Sequence, residues 1–341
     1  MGGIGHYAEP LHVEARPSAL VLAHWCFSYS QLRPHDTTHS TKESGYDELW
    51  FRSLSLALAA STLLSLGSTA TAGPDEQAEN NITRLEHNEL RDDFFEELVP
   101  DAPAVAPSAR RLSVVGSLMP TYTSNALLTP DDPQSDFYLE PDITLRLDGR
   151  LLPDVSYRLY ARSELDAFAD VQEANASITI LGANFTAPVL ALNASLIYEN
   201  RHSFGGIYED LAFVANDVKG TFSRDVNIGK LTVSPFVRVT QRFSDVPEAR
   251  RFRVDLALGL EYELSARWSL VSFPFFEKNW FSGGLNIGRR DKYYSADIGL
   301  SYTISDNLVL TTSATHEVFR SNFPQRKHDV FDVSTRLDFV F

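Results

Sequence analysis

An alternation of apolar and polar residues runs through the last two thirds of the chain and restricts its fold more than any other feature. In RFRVDLALGLEYEL, an apolar side chain stands at every second position from Phe252 to Leu264, and charged or small residues fill the positions between. Residues two apart share one face of a β-strand, whereas on a helix the same pattern would spread around the whole circumference. The stretch therefore predicts a strand with one apolar and one polar face.

The alternating segments are long for strands of a soluble protein. YYSADIGLSYTI repeats the pattern from Tyr294 to Ile304, with aromatic residues at both ends of the apolar face. Strands of soluble sheets average about 5 to 6 residues, whereas a strand that crosses a bilayer needs about 9 to 11. No apolar run approaches the roughly 18 residues of a membrane-spanning helix. These lengths predict strands that cross a membrane and exclude a helical membrane protein.

About twelve such segments follow one another, and the connections between them alternate in length. Besides the two quoted, segments start near Leu112, Asp136, Val155, Ala174, Val189, Leu211, Lys230, Trp268, Leu308 and Asp329. Short connections such as TAPV and SDN alternate with long ones such as TSNALLTPDDPQSD and NRHSFGGIYED. Hydrocarbon offers no hydrogen-bond partner, so each edge strand must pair with another strand. The pattern predicts an all-β fold: a transmembrane antiparallel up-and-down β-barrel over residues 111–341.

The last segment, HDVFDVSTRLDFVF, carries apolar side chains in strict alternation and ends on an aromatic residue. Chain ends usually fray unless other elements hold them, so we expect this strand to seal against the first one, RLSVVGSLMPTY. The chain here resembles bacterial outer-membrane β-barrel proteins, in which such a final strand is the signal read by the barrel-assembly machinery. The resemblance implies a Gram-negative outer-membrane location and an assembly signal at Phe331, Val333, Leu337, Phe339 and Phe341.

The first predicted hairpin narrows the resemblance to porin-like barrels of the "beta-barrel porin" type. That family has a Tyr-x-Ser-Asn motif followed by Ser-Asp-Phe, and the chain has Tyr122-Thr123-Ser124-Asn125 and then Ser135-Asp136-Phe137. Such families often carry an acidic residue where Thr123 stands. The family implies a passive pore as the function of this chain.

Residues 49–72 have the pattern of a secretion signal. Arg52 precedes an apolar run from Leu54 to Leu66, and Ala70-Thr71-Ala72 before Gly73 fits a signal peptidase site at Ala70, Ala72 and Gly73. The alternative is a buried helix of a soluble protein. We expect residues 1–48 to be an over-called extension upstream of the true start. The only cysteine, Cys26, lies there, so the mature chain would have none, which suits an oxidising compartment.

Residues 73–110 form an acidic leader followed by a Pro/Ala-rich linker. Ile82, Leu85, Leu90, Phe94 and Leu98 stand loosely at helical spacing, so one short amphipathic helix is an option and disorder is another. We expect a solvated periplasmic leader, and the alternative is a helix that plugs the barrel or binds a partner.

The barrel interior is predicted to be polar, because charges on the lipid side would cost about 2 to 4 kcal/mol for Arg or Lys at the bilayer midplane. Four arginines gather beside one long connection and would attract anions, or they pair with Asp255, Glu261 or Glu164 and fill the interior. The candidate lumen charges are Arg158, Arg162, Arg238, Arg242, Arg251, Arg253, Asp255, Asp297 and Arg336.

The sequence favours a passive channel for small hydrophilic solutes, and anions are one option for the solute class. The net charge of −15 argues against a nucleic-acid binder. A barrel of about twelve strands lies between filled eight-stranded barrels and open porins of 16 to 18, so an open, narrow or plugged pore fits equally. The alternatives are a structural or adhesive barrel and, less favoured, a surface hydrolase using His202 or His328. No motif implies an enzyme, a cofactor or a metal.

We expect the basic residues in the long connections to be solvated, and the alternative is that they contact lipopolysaccharide phosphates. They are Arg289, Arg290, Lys292, Arg320, Arg326 and Lys327.

Overall fold

The computed structural model describes residues 77–87, 111–323 and 325–341. The predicted extension at 1–48, the signal peptide with its cleavage residues Ala70, Ala72 and Gly73, and most of the predicted linker lie outside the described residues. Residues 77–87 form a helix. No helix in the described ranges is long and apolar enough to cross a membrane.

Fourteen strand segments follow the helix. They are β1 (Arg111–Thr123), β2 (Asp136–Leu152), β3 (Val155–Phe168), β4 (Ala176–Val189), β5 (Leu192–Phe204), β6 (Leu211–Ser223), β7 (Val226–Ile228), β8 (Leu231–Ser244), β9 (Arg251–Ser265), β10 (Trp268–Ser272), β11 (Phe275–Phe281), β12 (Arg290–Ser305), β13 (Leu308–Ser321) and β14 (His328–Val340). Three short 3-10 helices lie between them, at Gln172–Ala174, Pro247–Ala249 and Gly284–Asn286.

The segments form one closed antiparallel barrel of twelve strands. Twelve strands result from fourteen segments because β7 prolongs β6 along β8, and β10 and β11 are two parts of one strand between β9 and β12. Pro274 lies in the gap between β10 and β11, where a residue without an amide proton cannot continue the ladder. The fold class and the strand count predicted from the alternation are confirmed.

The barrel closes between its first and last strands. Val115 to Leu118 pair with Leu337 to Val340, and Thr121 to Thr123 pair with Asp332 to Ser334. The backbone groups of Val114 and Phe341 exchange two hydrogen bonds of 2.8 Å, so the terminal residue is held by the first strand. This pairing leaves no free edge, as an apolar surrounding requires.

The two ends of the barrel differ in the length of their connections. One end, here called the loop end, carries residues 124–135, 169–175, 205–210, 245–250, 282–289 and 322–327. The opposite end, here called the turn end, carries the tight turns. The first strand begins there at Arg111, and the last strand finishes there at Phe341. Outward side chains such as Phe137, Ile143 and Ile298 are apolar and more than half exposed, while most inward ones are polar and buried. Apolar residues therefore face the surroundings and polar residues face the lumen.

Candidate functional site: an arginine-lined lumen closed by a helix

The helix at 77–87 lies inside the loop end of the barrel and contacts the long connections. The side-chain amide of Gln77 donates to the carbonyl of Leu127 at 3.4 Å, and that of Asn81 donates to the carbonyl of Glu173 at 2.7 Å. A Cβ placed on Gly205 would lie 3.2 Å from the Cβ of Ala78. Of the two alternatives drawn from the sequence, the contacts of residues 77–87 are those of a plug helix.

Glu79 binds two arginines from the last two long connections. Its carboxylate pairs with Arg289, which is 1% exposed, and accepts a hydrogen bond of 2.8 Å from Arg326. Both arginines were expected to be solvated loop residues, with lipopolysaccharide phosphates as the alternative contact. Their burial against the helix shows that the expected solvation was wrong for these two residues.

Glu86 lies about two helical turns further along the same face, among three arginines of the barrel wall. One carboxylate oxygen accepts a hydrogen bond of 2.5 Å from Arg242, and the other pairs with Arg251. Arg201 approaches the same carboxylate at 4.0 Å. Within the described part of the chain, Arg251 forms an ion pair with Glu86 and with no other carboxylate.

The surroundings of Glu86 fix its charge. Burial by itself would raise the pKa of this carboxyl, but Arg242, Arg251 and Arg201 outweigh burial and hold the pKa well below its usual value. Glu86 is therefore ionised at neutral pH and carries a full negative charge into the arginine cluster.

The remaining polar residues of the helix also find partners. Arg84 donates to the carbonyls of Asn125 and Ala126 at 3.0 and 2.6 Å, and its guanidinium lies 4.9 Å from the centre of the Phe168 ring. His87 stacks on Tyr293 with ring centres 3.6 Å apart. Its Nε2 lies 3.3 Å from a carboxylate oxygen of Glu277.

The apolar face of the helix packs on an apolar patch inside the barrel. Ile82 and Leu85 are fully buried in one cluster with Ile178, Ile180 and Phe213. On β4 the isoleucines therefore point inward, against the prediction that apolar residues face lipid. The space between helix and wall is a cavity of about 10 Å³, roughly the volume that one water molecule needs.

A second group of charges lies deeper in the lumen, where β8, β9 and β11 adjoin. Arg238 and Asp255 are direct cross-strand partners. Arg253 pairs with Asp255 at 3.2 Å and with Glu277 at 3.6 Å. Arg238 lies over the ring of Phe236, 5.0 Å from its centre. The expected pairing with Asp255 is present.

The other predicted lumen charges lie elsewhere on the wall. Arg162 pairs with Asp142 at 2.5 Å, Arg336 pairs with Asp338 at 2.6 Å, and Arg158 pairs with Asp148 at 2.7 Å. Asp297 accepts a hydrogen bond of 2.9 Å from the amide of Phe273 in the gap between β10 and β11. It thus supports the interrupted strand and lies apart from the arginine cluster.

Inward side chains on β3 become more exposed from the loop end to the turn end. Glu164 is buried, the Arg162 side chain is 9% exposed and the Arg158 side chain is 40% exposed. The turn half of the lumen is therefore accessible to water along this wall, whereas the loop half is filled.

Sequence reasoning missed two members of the cluster around Glu86. Arg201 was assigned to the long connection NRHSFGGIYED, but β5 continues to Phe204 and points Arg201 inward. The signal was present, because Glu199, Arg201 and Ser203 share one parity. The role of Glu86 could not be predicted, because the sequence around it does not show whether a helix carboxylate faces solvent or the barrel wall.

The histidines considered for hydrolysis lie on faces that separate them from their sequence neighbours. His202 points outward and contacts Asn200 at 3.0 Å, while Ser203 is buried inside. His328 is buried and stacks on Phe319, while Asp329 points outward and pairs with Arg320 at 2.6 Å. These pairs do not assemble a Ser-His-Asp grouping. Among the described residues, no group of three or more His, Cys, Asp or Glu is placed to hold a metal ion.

No protein-family model and no curated protein matches the sequence. Solved structures do match the fold. An outer-membrane channel from Pseudomonas putida F1 superposes with a TM-score of 0.50 at 10% identity, covering 71% of this chain and 99% of that one. An anion-selective porin from Comamonas acidovorans superposes with a TM-score of 0.39 at 9% identity, covering 68% of this chain and 99% of that one. LpxR from Salmonella typhimurium superposes with a TM-score of 0.39 at 10% identity, covering 67% of this chain and 99% of that one.

These similarities concern the fold. Several of the matching structures are porins or channels. The closed barrel with its outward apolar face has the fold of bacterial outer-membrane β-barrel proteins, and it agrees with the outer-membrane location that the resemblance implied.

Proposed function

We propose that this outer-membrane β-barrel is a passive channel for small hydrophilic solutes, with a preference for anions, and that the helix at 77–87 holds it closed. The observation that carries the proposal is an excess of positive charge on the part of the lumen wall that β5, β6, β8, β9 and β11 form. Fixed positive charge in a narrow, partly dehydrated passage concentrates anions and sets selectivity.

The excess is visible when the helix is set aside. On β5, β6, β8, β9 and β11, six buried cations face four buried carboxylates. The cations are Arg201, Lys219, Arg238, Arg242, Arg251 and Arg253, and the carboxylates are Glu199, Asp217, Asp255 and Glu277. Pairing within the wall accounts for most of these charges, and Glu86 from the helix supplies a further carboxylate. A wall that only filled the barrel would need no charge from a separate segment.

The turn half of the lumen offers a path toward this wall. Its inward residues on β3 are increasingly exposed, so a hydrated solute entering from the turn end reaches Arg158 and then Arg162 before the helix. The fold neighbour from Pseudomonas putida F1, an outer-membrane channel, agrees with this function.

Conductance across a planar bilayer tests the channel. We expect the unaltered chain to conduct little and Leu85→Asp to give stable conductance steps, because a carboxylate cannot be buried in the apolar patch that seats Leu85. In a KCl gradient, the reversal potential should show anion preference. Adding Arg251→Gln should weaken that preference. Leu285→Asp, at an 88% exposed position of the loop end, is the matched control and should behave like the unaltered chain.

The second candidate is a structural or adhesive barrel, favoured by the filled loop half. If Leu85→Asp folds and still conducts nothing over a wide voltage range, the channel is excluded and this candidate takes its place. We also propose that the protein is not an enzyme. Ester or peptide turnover that disappears on His202→Ala or His328→Ala would contradict that.

Outward cations at the loop end form a candidate contact for lipopolysaccharide phosphates. Lys278, Lys292 and Arg320 are direct cross-strand partners on β11, β12 and β13, and Arg290 lies beside them. Like charges opposite one another destabilise a sheet, and a bridging phosphate relieves that repulsion. The outward ring pair Phe276 and Tyr294 lies on the same strands, with centres 5.0 Å apart, as in an aromatic girdle at the head-group level.

Thermal unfolding in the presence of lipopolysaccharide tests this contact. We expect stabilisation by the phosphorylated form, a smaller effect of the dephosphorylated form, and loss of the difference in Lys292→Gln/Arg320→Gln. Lys230→Gln, at the turn end, is the matched control and should retain the difference. If phosphorylated lipopolysaccharide stabilises Lys292→Gln/Arg320→Gln as much as it stabilises Lys230→Gln, the phosphate contact is contradicted.

The roles assigned to the ends of the chain stay proposals. We propose that Phe331, Val333, Leu337, Phe339 and Phe341 are read by the barrel-assembly machinery and that residues 49–72 direct export. Removing Phe341 should slow assembly into the outer membrane. Wild-type assembly of that variant would contradict a role for the terminal residue.

A further inference from the structure

We propose that Glu79 and Glu86 occupy two anion-binding sites of the lumen, and that a linear solute carrying two or more carboxylates or phosphates binds these sites in competition with the helix and thereby opens the channel. This inference rests on the proposed channel function and adds its ligand class and its control.

The first step is that each site has the chemistry of an anion receptor. Around Glu86, guanidinium groups of Arg242 and Arg251 hold one oxygen each, and Arg201 adds a third cation at 4.0 Å. Around Glu79, Arg289 and Arg326 again hold one oxygen each. Guanidinium forks bind carboxylate and phosphate oxygens equally well, so the helix carboxylates stand where the anionic groups of a solute would bind.

The second step is that the site around Glu86 needs an anion. Arg251 has Glu86 as its only carboxylate partner in the described part of the chain, and it is buried together with Arg242 and Arg201. Removing one partner of a buried ion pair costs about 3 to 5 kcal/mol because a charge is left uncompensated. Helix release is therefore favoured when another anion takes the place of Glu86.

The third step concerns spacing. Glu79 and Glu86 are seven residues apart, which places them on one face of the helix, about 10 Å apart along its axis. A solute with anionic groups at a similar separation can bind both sites at once, and linking two contacts raises affinity well above that of either alone. Acidic oligosaccharides and short polyphosphates have this form, whereas a single phosphate does not.

Cross-linking measures helix release independently of conductance. In a Cys26→Ser background, Ala78→Cys/Gly205→Cys places two thiols across the helix and a long connection, where the Cβ separation of 3.2 Å is close to the roughly 3.5 to 4.5 Å of disulfides. With diamide as oxidant, the pair should form a disulfide rapidly. We expect pentameric polyphosphate or a uronate trimer to slow this reaction at least tenfold, and inorganic phosphate at equal charge concentration to have little effect.

Conductance of the unaltered chain completes the test. The same probes should raise the open fraction with increasing concentration. The Glu86→Gln channel should be open without probe, and its open fraction should no longer depend on probe concentration. Glu209→Gln, on an exposed loop, should retain this dependence. If neither probe slows the cross-link, the anion sites are refuted. If the probes slow the cross-link but Leu85→Asp and the unaltered chain never conduct, the sites stand and the channel function fails.

Discussion

The loop half and the turn half of the lumen are built by the same twelve strands, yet the loop half is filled while the turn half is accessible to water along β3. In the loop half, Arg201, Arg242 and Arg251 are at most 7% exposed and share a carboxylate from the helix. In the turn half, the side chain of Arg158 is 40% exposed and pairs with Asp148 of the neighbouring strand. Arg158 at the turn end retains water, whereas these three arginines at the loop end depend on protein partners.

The difference shows that strand alternation sets the wall of a barrel but not the state of its lumen. Eleven helical residues, 77–87, convert a charged wall into a buried one. Charges that leave water need a close partner, and on β5, β6, β8, β9 and β11 the buried cations outnumber the buried carboxylates. The equilibrium between a filled and an open loop half should therefore respond strongly to changes at the helix and weakly to changes at the turn end.

The largest effect should come from reversing the charge of the helix carboxylate. Glu86→Arg replaces the shared anion with a fourth cation, so the lost pair of about 3 to 5 kcal/mol is compounded by repulsion. We expect the open fraction in single-channel recordings to rise at least a hundredfold. Exchanging the charges in Glu86→Arg/Arg251→Glu should restore part of the closed state. An unchanged open fraction in the single variant would show that Glu86 does not hold the helix.

Acid should remove the same contact without adding repulsion. The pKa of Glu86 lies well below its usual value in the closed state, since the surrounding arginines outweigh its burial. A carboxyl with a lowered pKa contributes stability above its free pKa, near 4.5, and loses it as the pH falls through the lowered pKa. Conductance should stay constant from pH 8 to 5 and rise only well below pH 4.5. A rise near pH 6 would contradict the carboxylate as the titrating group.

The sequence predicts the wall well because period-two alternation is a local property that a strand in lipid cannot avoid. The strand order, the closure at Phe341 and the adjacency of Arg242 and Arg251 all follow from it. The site beside the helix is not local. Glu86 and Arg251 are 165 residues apart, and no periodicity links them.

One further signal for the helix was present but was outweighed by the general rule for lipid-facing residues. Ile178 and Ile180 alternate correctly for a strand, so their parity assigned them to the outside. In the structure they face inward and pack with Ile82 and Leu85. An apolar patch inside a polar lumen requires an apolar partner, and only the position of the helix identifies it.

Truncating the apolar face of the helix should have an intermediate effect. Leu85 is fully buried, and replacing a buried leucine by alanine costs about 2 to 5 kcal/mol. We expect Leu85→Ala to raise the open fraction and to accelerate proteolysis of the helix from the loop side. Leu264→Ala, an exposed outward position on β9, is the matched control and should change neither. A closed, protease-resistant Leu85→Ala would show that ion pairs alone seat the helix.

The smallest effect is expected at the turn end, where the comparison is sharpest. Arg158→Glu reverses a charge, as Glu86→Arg does, but at a side chain that is 40% exposed and whose pair with Asp148 is worth about 0 to 1 kcal/mol. The open fraction should not change. In the Leu85→Asp background, anion preference should fall slightly, and more at 0.01 M than at 1 M salt, because screening shortens the reach of an exposed charge from about 30 Å to about 3 Å. A large gating effect of Arg158→Glu would mean that the two halves of the lumen are coupled through the wall, and the helix would then not be the sole element that separates them.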